Sequence, residues 1–267
     1  MGDAANMGAA ADRGHAAARS RYLDLMEKSL ANAIHGESEL EMTLARLKQR
    51  LRHPYLSRRG AIAWPPRAQS MLSPQRLRNV RTLTELTLTE NIPGNYIETG
   101  VWRGGACILM RAVLAAYDIG DRKVFCADSF EGLPKPNAKK YRADRRDRLF
   151  AFEELAVSEE QVRQNFARYD LLDGQVVFLK GWFKDTLPKL GSERFALIRL
   201  DGDMYESTMD ALTNLYDRLS DRGFVIIDDY GGLKNCRQAV HDFLDSRALK
   251  PEIRQVDETG VWWRKQA

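Results

Sequence analysis

The sequence predicts an α/β fold built on a mostly parallel sheet, and three observations carry that prediction. Past Pro93-Gly94, short apolar runs alternate with longer stretches of helical periodicity, which is how βα units look in sequence. Carboxylates close several of the apolar runs, at Asp128, Asp201 and Asp228-Asp229. Ligands gather outside the carboxyl ends of parallel strands, so acids there have a use. The chain of 267 residues, 44% hydrophobic, suffices for one sizeable core, so one α/β domain with an N-terminal helical extension is predicted.

Residues 1–20 are rich in Ala and Gly but interrupted by Asp3, Asp12, Arg13 and His15. They hold no signal-peptide core and read as a flexible tail. Residues 21–92 read as helices plus an irregular segment, and 93–267 as the main domain. Leu23, Met26, Leu30 and Ile34 recur with helical spacing, and Leu40, Met42, Leu44 and Leu47 repeat the pattern over 39–51. Within the irregular stretch 58–73, Trp64-Pro65-Pro66 forbids a continuous helix. Ser73-Pro74 reads as an N-cap followed by proline in the first turn, opening a helix to about residue 88. Strands are predicted at 96–98, 123–127, 176–179, 196–200 and 224–227. The clearest helices between and after them are 106–117, 158–169 with a Ser158 to Gln161 capping box, 208–219 and 236–246. Residues 252–255, a turn at Glu258-Thr259-Gly260 and residues 261–264 form a terminal hairpin pattern. Trp262 and Trp263 then point to opposite faces, which places at least one of them in the core.

The formal charge of +4 is small against 41 basic and 37 acidic residues, which argues against a nucleic-acid binder. Cys107, Cys126 and Cys236 lie far apart without C-x-x-C spacing, against a disulfide framework or zinc site, and a reducing cytoplasm fits them. No run of about 18 apolar residues occurs, so no membrane span is predicted.

The candidate chemistry starts at Glu98-Thr99-Gly100, where a strand runs through Val101-Trp102-Arg103 into Gly104-Gly105 and a helix. Glycines let the backbone turn sharply and a ligand approach closely, and the helix start offers unpaired N–H groups. The spacing is not G-x-G-x-x-G, and a tight strand-to-helix turn accounts for it equally well. Asp128 follows 28 residues beyond Gly100 (128−100), at the end of the next apolar strand. An acid there accepts hydrogen bonds from ribose hydroxyls in nucleoside-binding folds. The two together point to an adenosine site. Asp201 and Asp203 then end one strand, and Asp228 and Asp229 the following one. So many like charges in one crevice repel unless a cation neutralises them, and all-oxygen ligation favours Mg²⁺, with Ca²⁺ or Mn²⁺ open. Asp203 reads equally as a cap of the helix that follows it.

Several motifs in this order carry a resemblance: 96–105 (YIETGVWRGG), Ala127-Asp128-Ser129-Phe130-Glu131-Gly132-Leu133-Pro134, Gly181-Trp182-Phe183-Lys184-Asp185, Leu200-Asp201-Gly202-Asp203-Met204-Tyr205-Glu206 and Asp228-Asp229-Tyr230. From about Arg58 onward the chain resembles the macrocin O-methyltransferase family, which includes the mycinamicin and novobiocin sugar O-methyltransferases. The resemblance implies a Rossmann-like, seven-stranded S-adenosylmethionine-dependent methyltransferase fold whose final strand is antiparallel. It implies a metal at Asp201, Asp228 and Asp229, with Asp201 also the base. It places the cofactor, S-adenosyl-L-methionine, along Glu98, Thr99, Gly100 and Gly104, at Asp128, Ser129 and Phe130, and beside Trp182 and Phe183. Met71 matches a lid segment near the cofactor.

A sugar hydroxyl is a weak acid. A divalent cation lowers the pKa of such a group, and Asp201 is placed to take the proton. The acceptor suggested by the resemblance is a deoxysugar hydroxyl of a natural-product glycoside, with a catechol as the alternative. A nicotinamide oxidoreductase would share the glycine turn, but it needs no triple acid and no Tyr-x-x-x-Lys pair is present. A non-catalytic adenosine-binding protein would not need the metal acids. His241 reads as a packing or exposed residue, and Tyr230 as either a substrate contact or a packing residue. Lys135, Lys139, Lys140, Arg142, Arg145, Arg146 and Arg148 form a basic segment, read first as a solvated helix face and second as a lid selecting an acidic acceptor. Apolar faces on the N-terminal helices suggest a homo-oligomer contact.

Overall fold

The computed structural model describes residues 2–52 and 64–266, with side chains from residue 14 onward. Residues 58–63 of the irregular stretch lie outside the described residues. Five strands, β1 (Asn95–Thr99), β2 (Val124–Asp128), β3 (Val176–Lys180), β4 (Phe195–Leu200) and β5 (Leu219–Ile227), pair in parallel. The hairpin of β6 (Arg254–Gln255) and β7 (Val261–Arg264) completes a seven-stranded sheet in the order β3-β2-β1-β4-β5-β7-β6, with β7 antiparallel to β5. The chain leaves β1 toward β2 on one side and returns to β4 on the other. The crevice therefore opens where the ends of β1 and β4 diverge.

Alternation along each strand divides the core in two. Tyr96, Cys126, Ala196 and Ile226 face one side, under α1 (Gly2–Leu30), α3 (Pro74–Thr89), α4 (Gly105–Ala116) and α5 (Glu159–Ala167). Ile97, Ala127, Ile198 and Ile227 face the other, with α7 (Tyr205–Leu215) and α8 (Lys234–Ser246). Trp263 is fully buried there, while Trp262 packs on the opposite core. The short helices α2 (Glu39–Arg52) and α6 (Phe183–Thr186) complete the set.

The predicted caps form. The Ser73 and Ser158 hydroxyls accept from the N–H groups of Arg76 and Gln161. Three expectations need correction. Residues 2–20, expected as a flexible tail, are helical and form the first part of α1, because an alanine-rich run forms helix by propensity without a large apolar stripe. The basic segment makes no α-helix, only a short 3-10 turn at Arg142–Asp144. The helix predicted over 208–219 begins earlier and ends at Leu215, so that β5 starts at Leu219. No helix among the described residues is long and apolar enough to cross a membrane.

Candidate active site

The turn after β1 is shaped by close approach. Gly100 has φ 84°, and a β-carbon there would overlap the carbonyl oxygen of Asp201 at the end of β4. Gly104, φ 85°, is the N-cap of α4, where the side of Val162 closes over it. Asp128 holds the same turn from β2. Its Oδ2 accepts from the Val101 N–H at 2.7 Å and its Oδ1 from the Phe130 N–H at 2.8 Å. Burial raises the pKa of Asp128, and these N–H groups oppose the rise. The Ser129 hydroxyl lies 3.4 Å from Oδ1 as a further donor, and Asp128 lines the cavity.

The ends of β4 and β5 carry a different arrangement. Asp201, Asp228 and Asp229 each offer one oxygen, all within 4.8 Å of one another. Behind Asp201 and Asp228 lies Arg199, 1% exposed, inside the apolar strand β4. It pairs with Glu98, with Asp228, and with Asp201 at 2.9 Å. Arg76, from the start of α3, pairs with the second oxygen of Asp228 and with Asp257 at 2.9 Å. Asp229 accepts from the Asp203 N–H at 3.3 Å.

Charge decides what this cluster can hold. Glu98, Asp201, Asp203, Asp228 and Asp229 face two guanidiniums. Burial and the neighbouring Asp228 push Asp201 up to about 6 against the pull of Arg199. Burial pushes Glu98 up to about 7, again opposed by Arg199. Burial and then Asp201 and Asp147 raise Asp203 well above the usual carboxylate range, and burial and then Asp203 and Asp201 do the same to Asp229. The arginines therefore leave the cluster undercompensated. The oxygen donors, their spacing and the residual negative charge fit a hard divalent cation. Arg199 and Arg76 would orient its ligands from behind, as hydrogen-bonded partners of ligating groups do.

A cavity of about 620 Å³ joins the two regions. Met71, Gly100, Asp128, Ser129, Trp182, Phe183, Asp201, Asp228 and Asp229 all line it. Glu98, Thr99, Gly104 and Phe130 do not. The Glu98 carboxylate is engaged by Arg199 and by the Cys107 thiol, and Phe130 is buried against Phe178 with ring centroids 6.1 Å apart. Thr99 is buried in β1, its hydroxyl without a partner among the described residues. Asp203 lines the cavity and does not cap α7, whose N-cap residue is Met204.

That capping comes instead from the basic segment. Asp144, fully buried, accepts from the N–H groups of Tyr205 at 2.8 Å and Glu206 at 3.0 Å, and from the Asn235 amide at 3.0 Å. The segment is thus anchored by an acid, with Lys135 and Asn137 on the cavity wall. Opposite, Arg103 holds the proline-rich segment by donating to the carbonyls of Pro65 and Ala68, both at 2.8 Å. Trp64, on the cavity wall, meets Phe152, just past the basic segment, edge-on at 4.9 Å.

Sequence reasoning missed Arg199, Arg76, Asp144 and Asp257. Only Arg199 left a signal, as a lone cation inside an apolar strand flanked by acids. His241 bonds the Tyr230 hydroxyl at 2.8 Å, and neither lines the cavity.

Comparison with known proteins identifies the family. The model of the macrocin O-methyltransferase (TylF) family matches residues 19–265. The 8-demethyl-8-(2,3-dimethoxy-alpha-L-rhamnosyl)-tetracenomycin-C 4'-O-methyltransferase of Streptomyces olivaceus is 49% identical over 251 residues, 94% of each chain. The demethyldecarbamoylnovobiocin O-methyltransferase of Streptomyces niveus is 44% identical over 247 residues, 92% of this chain and 94% of that one. The solved structure of the O-methyltransferase NovP superposes with a TM-score of 0.82 at 44% identity, covering 93% of this chain and all of that one. The nicotinamide alternative falls with these matches: the chain is an O-methyltransferase and belongs to the macrocin O-methyltransferase family.

Proposed function

We propose that this enzyme moves the methyl group of S-adenosylmethionine to a hydroxyl on a sugar of a natural-product glycoside, assisted by a divalent cation, Mg²⁺ by donor chemistry. The observation that carries the proposal is the convergence of Asp201, Asp228 and Asp229 on one cavity wall, against the glycine turn at Gly100. The relative from Streptomyces olivaceus is named for a rhamnosyl-bearing substrate, which supports a sugar acceptor.

Gly100 seats the turn on the Asp201 carbonyl at the cavity wall where the methyl donor would lie, Asp128 offers lone pairs to ribose hydroxyls, and Met71, Trp182 and Phe183 offer apolar surface. Ser129 completes this wall. Glu98, Thr99, Gly104 and Phe130 serve the donor indirectly, by fixing the turn that meets it. Alignment of donor and hydroxyl is worth on the order of 7 to 11 kcal/mol in well-oriented reactions. Bound at the three acids, a divalent cation supplies Lewis acidity that lowers the pKa of an acceptor hydroxyl. Asp201 takes the proton: Arg199 holds its Oδ2, and its side chain keeps 26% exposure toward the cavity. Trp64 and Met71 reduce the access of water from the lid side.

Tritiated-methyl transfer from S-adenosylmethionine to a panel of glycosides and catechols, with chelator and with Mg²⁺ restored, tests each part. Label should enter glycosides, stop with chelator and return with Mg²⁺. Label that survives chelation removes the cation, and label confined to catechols removes the sugar. Failure of calorimetry to detect S-adenosylmethionine binding removes the donor.

A further inference from the structure

Helix α2 turns its apolar face away from the rest of the chain. Leu40, Leu44, Leu47 and Leu51 are 68, 45, 51 and 74% exposed, whereas the polar Gln49 on the opposite face is buried. The orientation is fixed by polar ties on the inner side and at the ends. Glu41 pairs with Arg67, Arg52 with Glu153 at 2.8 Å, and the Glu37 carboxylate just before the helix accepts from the Ala68 N–H at 3.2 Å. Among the described residues no side chain covers the leucines.

Their spacing is four, three and four residues, the alternation of a two-stranded coiled-coil seam. Burying one leucine side chain contributes roughly 1.5–3 kcal/mol, so four in line on a charged helix form a joining surface rather than scattered exposure. The charges on the helix name the partner. Its first turn is acidic, with Glu39 and Glu41, and its last turn basic, with Arg50 and Arg52. Laid antiparallel on a copy of itself, Leu40 meets Leu51 and Leu44 meets Leu47. Each acidic turn then lies against a basic one. A parallel arrangement would set like charges side by side.

We propose that α2 pairs antiparallel with α2 of a second copy of this chain, forming a two-fold symmetric dimer through the leucine seam. A two-fold contact requires a self-complementary patch, and this one is self-complementary in both shape repeat and charge. One short helix per copy buries less than the roughly 1,200–2,000 Å² of standard specific interfaces, so the dimer dissociates on dilution. The inference does not depend on the identity of the acceptor or on the cation.

Sedimentation equilibrium of the full chain from about 1 to 100 µM should show a reversible monomer–dimer equilibrium. Leu44→Asp/Leu47→Asp should weaken association at least about tenfold while leaving the melting temperature of the dilute monomer unchanged, since both side chains are exposed within one chain. Cross-linking reads the orientation, because the native Cys107, Cys126 and Cys236 are buried and do not interfere. A mixture of Leu40→Cys and Leu51→Cys chains should form the mixed disulfide, and neither variant alone should cross-link to itself. A wild-type monomer at about 100 µM, or undiminished association of the double aspartate variant, overturns the proposal. Preferential self-cross-linking of each single variant overturns the antiparallel arrangement.

Discussion

Acids close strands on both sides of β1, yet they are neutralised in different ways. At β2, Asp128 meets the N–H groups of Val101 and Phe130, so backbone dipoles balance its charge and the carboxylate shapes a loop. At β4 and β5, Asp201, Asp228 and Asp229 meet Arg199, Arg76 and one another, and the balance stays negative. An acid surrounded by N–H groups needs no cation to balance its charge. Acids surrounded by other acids lack that balance. The same residue type at equivalent positions of one sheet therefore organises the turn that would hold the donor on one side and gathers oxygens that would suit a cation on the other.

Breaking the β4 side should have the largest effect. Asp201→Asn removes the proposed proton acceptor and should lower turnover on the order of 10²–10⁴-fold, with S-adenosylmethionine affinity by calorimetry nearly unchanged. Full activity in that variant would take Asp201 out of proton transfer. Arg199→Met leaves buried acids without their shared cation and should cost about 3–5 kcal/mol in urea unfolding. An unchanged midpoint would mean the acids have another source of neutralisation. On the β2 side, Asp128→Ala strands two N–H groups, should cost about 1–3 kcal/mol, and should weaken donor binding without changing the Mg²⁺ dependence of the reaction. A shifted Mg²⁺ dependence would show that the two sides are not separate.

The smallest effect concerns Asp257, the second partner of Arg76. Burial raises its pKa, but the Gly260 N–H, the Ser73 hydroxyl, the Thr259 N–H and Arg76 outweigh it and bring it down to about 2 from 3.8. A depressed carboxylate stabilises the fold above its unfolded value and loses that contribution as pH falls through the folded one. The stability gap between wild type and Asp257→Asn should thus be constant above about pH 5 and close toward about pH 2. A gap that persists in acid would show that the Asp257 charge is not what matters.

Most of the sheet was legible because its strands are apolar runs with turns at both ends. The exception, the first half of β5, carries exposed Asp221 and Arg222 and so lacks an apolar run. The three metal-type acids and Asp128 were legible because parallel strands put their ends together. What joins them was not. Arg76 reaches Asp228 across 152 residues, and Asp144 reaches Tyr205 across 61. Such pairings depend on tertiary placement that no local pattern records. Likewise the leucine repeat of α2 was visible, but periodicity says only that the leucines share a face. The direction of that face was set by Glu37, Glu41 and Arg52 finding partners elsewhere.

One missing methyl group fixes the clearance between the two halves of the cavity. With no β-carbon at Gly100, the turn after β1 rests directly on the carbonyl of Asp201. The gauge between the turn after β1 and Asp201 is therefore cut into the backbone, where side-chain replacement elsewhere cannot reset it. The walls at 64–72 and 133–155 can be reshaped to admit a different acceptor while that gauge stays the same.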